Sequence, residues 1–208
     1  MRKLLAVIPA LTLAAGLSAQ TKAPAPATKA AAAASGPKAQ APRPAGEFVI
    51  HMNDGSQKLL SSYRGKVVVM AFMYTTCTHC QHTAGVLAKI NTTYADKGVQ
   101  ILGVAIDSGA QQGIPMFLKI TGANFPVGYS TPDQAIKFLH GPQDGWYVPM
   151  LAFIDRNGMM RYENIVTDTD DGTAAGKWIE SQEVNIPKEI NKYLAAPAAA
   201  KPKQAPKS

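Results

Sequence analysis

The chain has 208 residues, 46% of them hydrophobic, which is enough for one domain with a real core and does not call for two. Its formal net charge of +7 points first to a polyanionic partner. The distribution of that charge argues otherwise. Arg2, Lys3, Lys22, Lys29, Lys38, Arg43, Lys201, Lys203 and Lys207 lie near the ends of the chain, and the remainder holds twelve basic residues against fourteen acidic ones. A core with no net positive field and no basic stripe interleaved with aromatics is no binder of nucleic acid.

In chain order, Met1-Arg2-Lys3, the apolar run Leu4 to Leu17 and the small pair Ser18-Ala19 have the layout of a secretory signal peptide, residues 1–19, cleaved after Ala19. The run falls short of the roughly 20 apolar residues of a membrane-spanning helix. No later stretch is apolar enough to span, so no stable membrane span is expected after cleavage. This predicts a periplasmic or secreted protein. Residues 20–45 are rich in Ala, Pro and Lys, without aromatic residues or apolar periodicity, and read as a disordered linker. Residues 196–208 share that composition and read as a disordered tail. The folded domain is then 46–195.

Within it, Phe48 to Met52 reads as a strand, Asn53-Asp54-Gly55-Ser56 as a turn, and Leu59-Leu60 as the start of the return. Val67 to Met73 is a continuous apolar run of strand length, the pattern of a central strand buried on both faces. Helical spacing begins near His79, with Val86, Leu87, Ile90 and Tyr94 on one face and Gly98 as the stop. Val99 to Ile106 is a second buried strand. Ile114, Phe117, Leu118 and Ile120 predict a helix closed by Gly122. Phe125 to Tyr129 is a short strand, and Gln134 to His140 a helix. Met150 to Ile154 is a strand, Asp155-Arg156-Asn157-Gly158 a hairpin turn with the favoured Asn-Gly pair, and Met159 to Val166 its partner. Asp168 to Gly172 is an acidic loop. Pro187 to Leu194 is a last helix with its proline near the first turn. Strands alternating with helices imply an α/β fold with a mainly parallel sheet covered on both faces, finished by an antiparallel hairpin.

The chemistry is concentrated in Cys77-Thr78-His79-Cys80, which holds both cysteines of the chain. A disulfide closing so small a ring restricts the unfolded chain little, so the pair serves chemistry rather than stability. It directly follows a buried strand and opens a helix. Unpaired N–H groups and the positive end of the helix dipole stabilise a thiolate there. Cys77 is expected at the exposed end as the nucleophile, and Cys80, one turn in, as the buried resolving thiol. An imidazole at His79 tunes the pair by favouring the thiolate at Cys77. A structural zinc site would need a second ligand pair, and the sequence has no second C-x-x-C or H-x(3–5)-H. No metal or other cofactor is expected. Pro149, before a buried strand, cannot donate to the ladder, and from the residues alone a trans proline at a strand start is the ordinary form.

The order of these pieces resembles a known family. The turn through Asn53-Asp54-Gly55, then Ser61-Ser62-Tyr63-Arg64-Gly65-Lys66, Cys77-x-x-Cys80, Lys97-Gly98-Val99-Gln100-Ile101-Leu102-Gly103-Val104 and Val148-Pro149-Met150-Leu151-Ala152-Phe153-Ile154-Asp155 are similar to the thioredoxin-like fold in its exported TlpA/ResA-like redoxin branch. The resemblance implies a central mixed sheet flanked by helices, with an N-terminal hairpin and an inserted strand–helix unit. It implies that Pro149 is the family's cis-proline and that the Val148 backbone pairs with a bound substrate segment beside Cys77. It implies a thiol–disulfide oxidoreductase whose partners are thiols and disulfides of exported proteins and a further redox protein. Three positions depart from the pattern. Thr76 replaces the usual tryptophan before the first cysteine. Ala71 stands where thioredoxin carries a buried acid, and Thr83 where the ResA-like pattern carries one. No internal carboxylate is evident to move the proton of Cys80, and the direction of electron flow stays open. The alternative is a SCO-like copper carrier on the same fold, with Met73, Met150 and His79 as further soft ligands. Such carriers use C-x-x-x-C and a downstream histidine near the position of Pro149. A peroxiredoxin normally has a threonine three positions before its nucleophile, where this chain has Tyr74.

Overall fold

A computed structural model describes residues 41–167 and 175–196. The expected signal peptide, most of the linker, the acidic loop Asp168 to Gly172 and nearly all of the C-terminal tail lie outside the described residues. Within the segment read as linker, Arg43–Pro44 (β1) is a strand, pairing antiparallel with Met159 and Met160. The entry hairpin follows as Val49–His51 (β2) and Gln57–Leu59 (β3). Its turn is closed by Met52 N–H to Ser56 O at 2.9 Å and by Ser56 on the Asp54 carboxylate.

Val67–Met73 (β4) is buried at every position, as its unbroken apolar run requires. Thr78–Tyr94 (α1) leads through a 3₁₀ turn to Gly98, whose φ of 82° is the left-handed conformation that glycine adopts without penalty. Val99–Ala105 (β5), Ala110–Thr121 (α2), Val127–Tyr129 (β6), Pro132–Leu139 (α3), Trp146–Ile154 (β7), Met159–Thr167 (β8), Ala175–Glu180 (α4) and Gln182–Ala195 (α5) complete the described elements. The sheet order is β1-β8-β7-β4-β5-β6-β2-β3.

The sheet is mixed, as the resemblance implied, and the mainly parallel sheet read from the alternation of strands and helices alone does not hold. Among the described strands only β4–β5 and β5–β6 are parallel pairings, whereas β7, its hairpin partner and the N-terminal strands all run antiparallel to their neighbours. Alternation of strands and helices shows where crossovers are possible. It does not show that the segment between α3 and β7 brings the chain back in the opposite direction.

The alternating residues of β4 divide the core in two. Val67, Val69, Ala71 and Met73 pack with α1, α2 and α5. Val68, Met70 and Phe72 pack on the other face with α3, Phe48 and Leu60. The C-terminal helices also differ from the sequence reading. Pro187 lies inside α5, which starts at Gln182, and α4 precedes it with no apolar periodicity to announce it. The proline forfeits one backbone hydrogen bond. Burial of Ile186, Ile190 and Tyr193 against the β4–β7 face and an aromatic cluster of Phe153, Tyr162, Trp178 and Tyr193 offsets that loss.

Candidate functional site

β4 and β5 run parallel, with Met73 beside Ala105, so the segments that leave their C-terminal ends are neighbours. Clefts beyond the C-terminal ends of parallel strands are where α/β sheets bind ligands. From β4 the chain turns at Tyr74–Thr76 and enters α1 at Cys77. Cys77 is the N-cap, with extended backbone (φ −80°, ψ 120°), and its Sγ accepts the Cys80 backbone N–H at 3.2 Å. A sulfur here takes the place of the usual Ser or Asp oxygen and satisfies a donor that the helix itself leaves free. Cys77 N–H donates to Tyr74 O at 3.3 Å, and Cys77 O accepts from Gln81 N–H at 2.9 Å.

The two thiols differ as the sequence led us to expect. Cys77 is half-buried and Cys80 fully buried, both as free thiols. Burial is the main cause pushing the Cys80 thiol well above the ordinary value. Its hydrogen bond with Cys77 and the charges of Cys77 and Asp107 add to this, while a backbone hydrogen bond from Tyr74 opposes it.

His79 and His82 are exposed on α1, and His82 Nε2 meets Glu183 Oε1 of α5 at 3.2 Å. The Val148–Pro149 bond is cis, the isomer implied by the resemblance, with Pro149 buried and Val148 half-buried. Pro149 sits inside β7 rather than ahead of it. The ladder to β8 has an irregularity between Tyr147 and Leu151 that accommodates a residue with no N–H to donate. A cavity of about 320 Å³ beside α1 brings His79, Val148 and Pro149 together with Thr83, Tyr147 and Gln182. Cys77 and Val148 pack against the same apolar cluster.

The suggested copper ligands are not brought together. Met73 belongs to the cluster under α1 and Met150 to the cluster on the opposite face of the sheet. Among the described residues, no group of three or more His, Cys, Asp or Glu side chains is arranged to hold a metal ion.

Asp107 and Thr75 escaped the sequence reading. Asp107, two residues beyond β5, takes hydrogen bonds from Thr75 N–H at 2.9 Å and from Thr75 Oγ1 at 2.6 Å. Thr75 O in turn accepts from Gln81 Nε2 at 3.0 Å. The available signal was an acid ending a buried strand parallel to the one that carries the cysteines. Thr83, where an acid was sought, is fully buried and its Oγ1 has no hydrogen-bond partner.

A family model described as Redoxin matches residues 22–177. Two thiol-disulfide oxidoreductases named ResA align over 124 residues, 59% of this chain and 67% of theirs: 28% identical for that of Geobacillus thermodenitrificans and 29% for that of Geobacillus kaustophilus. A crystal structure from Chlorobium tepidum, described as a thiol:disulfide interchange protein DsbE, superposes with a TM-score of 0.59 over 75% of this chain and 99% of that one at 21% identity. At that identity the likeness shows the thioredoxin-like fold.

Proposed function

Because the chain belongs to the Redoxin family, with a match across residues 22–177, we infer that it is a thiol–disulfide oxidoreductase working through Cys77 and Cys80. The observation that carries this reading is the N-cap sulfur. Cys77 Sγ sits where the helix presents a free N–H, supplied by Cys80 at 3.2 Å, and where the helix dipole is positive. A thiolate there attacks a substrate disulfide and forms a mixed disulfide. Cys80, one turn deeper and shielded from solvent, attacks Cys77 and releases the substrate as a thiol. Run backwards, the same steps oxidise a dithiol. Val148 and Pro149 form the wall against which a substrate strand would lie, and His79, exposed within the motif itself, is the tuning group.

The substrates in this reading are thiols and disulfides of exported proteins. The N-terminal signal, cleaved after Ala19, delivers the chain to the periplasm or the exterior, and the Ala/Pro/Lys segment is a spacer. N-terminal sequencing of the exported protein checks the cleavage. No helix among the described residues is long and apolar enough to cross a membrane.

The deciding experiment is trapping. Cys80→Ser is expected to accumulate mixed disulfides through Cys77, seen as slower bands on non-reducing gels, whereas Cys77→Ser accumulates none. Equal trapping by both variants refutes the assignment. The reduction potential then sets the direction: near roughly −120 mV the pair oxidises its partners and near roughly −270 mV it reduces them.

A further inference from the structure

We propose that Asp107, acting through Thr75, is a positioning residue that holds the Tyr74–Thr76 loop in the arrangement Cys80 needs to close the disulfide with Cys77. The proposal rests on the redox reading of the pair.

The loop is the only covalent link between β4 and the cysteine helix, and it is gripped from several sides. Both carboxylate oxygens of Asp107 are used on Thr75, one on its N–H at 2.9 Å and one on its hydroxyl at 2.6 Å. Thr75 itself is 6% exposed. Asp107 is in turn anchored, because Ile106 N–H donates to Met73 O at 2.9 Å and keeps the two strand ends in register. On another side α2 closes in through Gly113, where an added Cβ would lie 2.4 Å from Thr75 Oγ1. Gln81 of α1 holds the Thr75 carbonyl at 3.0 Å.

Both cysteines depend on this loop. Tyr74 O accepts the Cys77 N–H at 3.3 Å, and the Tyr74 backbone amide favours the thiolate at Cys80. A slack Thr75 would therefore misdirect the group that eases deprotonation of Cys80. The direct charge of Asp107 works in the opposite sense and disfavours that thiolate. The other ionisable groups around Cys80 are Cys77, Tyr74, and on α1 the exposed His79 and His82. Glu183 of α5 is engaged by His82, and α5 otherwise meets α1 with Ile186 and Ile190.

The step concerned conserves electrons. In the mixed disulfide, Cys80 gives its proton to solvent and its thiolate attacks the Cys77 sulfur. The Cys77–Cys80 bond forms and the bond from Cys77 to the substrate sulfur breaks. The leaving sulfur keeps the electron pair and takes up a proton.

Ellman's disulfide separates the two stages in the full chain. The first thionitrobenzoate released reports attack by Cys77, and the second reports closure by Cys80. Asp107→Ala is expected to slow the second release about tenfold at neutral pH and to alter the first by less than about threefold, as befits a lost charge-assisted clamp. Asp107→Asn keeps an acceptor for the Thr75 N–H and a partner for its hydroxyl. It is expected to restore the second release to within about threefold of wild type and to move its pH profile to lower pH. Should Asp107→Ala fail to fold, Thr75→Val removes one of the two hydrogen bonds at similar volume and carries the same expectation. A second release in the Ala or Val variant within about twofold of wild type overturns the proposal. So does an Asn variant as slow as the Ala variant, since charge rather than geometry would then be needed. A wild-type protein with no second release fails the redox reading itself, which is a different result.

Discussion

Gly113→Ala sets two physical effects of opposite sign against each other. Gly113 lies in the first turn of α2, and replacing a helical glycine by alanine ordinarily stabilises by about 1 kcal/mol. Here the new Cβ would lie 2.4 Å from Thr75 Oγ1, 2.9 Å from Thr75 Cβ and 3.1 Å from Thr75 Cγ2. Rotation about χ1 can move Oγ1 and Cγ2 away but leaves the Thr75 Cβ where it is. Rotation also breaks the 2.6 Å hydrogen bond to Asp107. Either α2 or the loop must shift. Overpacking of this kind costs about 1–3 kcal/mol, and part of a hydrogen bond to a carboxylate, worth about 1.5–3 kcal/mol in full, is lost with it. The clash outweighs the propensity, and a net loss of about 1–4 kcal/mol is expected. Urea denaturation reads this as a lower midpoint at an unchanged slope. The second thionitrobenzoate release should slow in parallel. A variant as stable as wild type, or more stable, with closure at the normal rate would refute the argument that α2 is held against the cysteine loop through Thr75.

Three further outcomes follow from the packing and the charges. Arg43→Ala should cost about 3 kcal/mol at neutral pH, because it leaves Glu163, whose side chain is 1% exposed, without its cation. Burial already holds the Glu163 carboxyl above the ordinary value against the pull of Arg43. The folded state therefore binds the proton more readily than the unfolded one, and the deficit should shrink as pH falls through that raised value, checked by denaturation at pH 7 and 5. Thr83→Val replaces a fully buried hydroxyl that has no partner with a methyl of similar size, and should stabilise by about 1 kcal/mol in thermal unfolding. Iodoacetamide on the reduced native protein at mildly alkaline pH should label Cys77 and spare Cys80 until the chain is unfolded, because Cys80 is buried and its thiol is pushed upward. Mass spectrometry of peptides distinguishes the two sites.

Much of the fold was legible because buried strands and amphipathic helices carry period and length in the chain itself. Val67–Met73 reads as a strand from its unbroken apolar run, and Val86, Leu87 and Ile90 declare the buried face of α1. The Cys77/Cys80 asymmetry follows from a helix start, since one turn inward is also one step away from solvent. Sheet direction is not coded this way. Parallel and antiparallel neighbours are equally apolar, so periodicity did not show the reversal of β7 against β4; the resemblance implied a mixed sheet, and the assembled sheet places the reversal there. The α4 helix and the placement of Pro187 inside α5 were hidden for a related reason: tertiary burial, not local propensity, sustains them.

The same division runs through the site. Local sequence determined the C-x-x-C motif, its strand-to-helix setting and the proline of Val148-Pro149, because each depends on residues adjacent in the chain. Tertiary structure decided which groups surround them. The parallel pairing of β4 and β5 sets Asp107 beside Thr75 across 32 positions of sequence, and the sheet separates Met73 from Met150 onto opposite faces. An acid was sought at Ala71 and Thr83 along the chain near the cysteines. The carboxylate that reaches the site comes instead from the neighbouring strand, because parallel strands align their C-terminal ends and no periodicity within either strand records its partner.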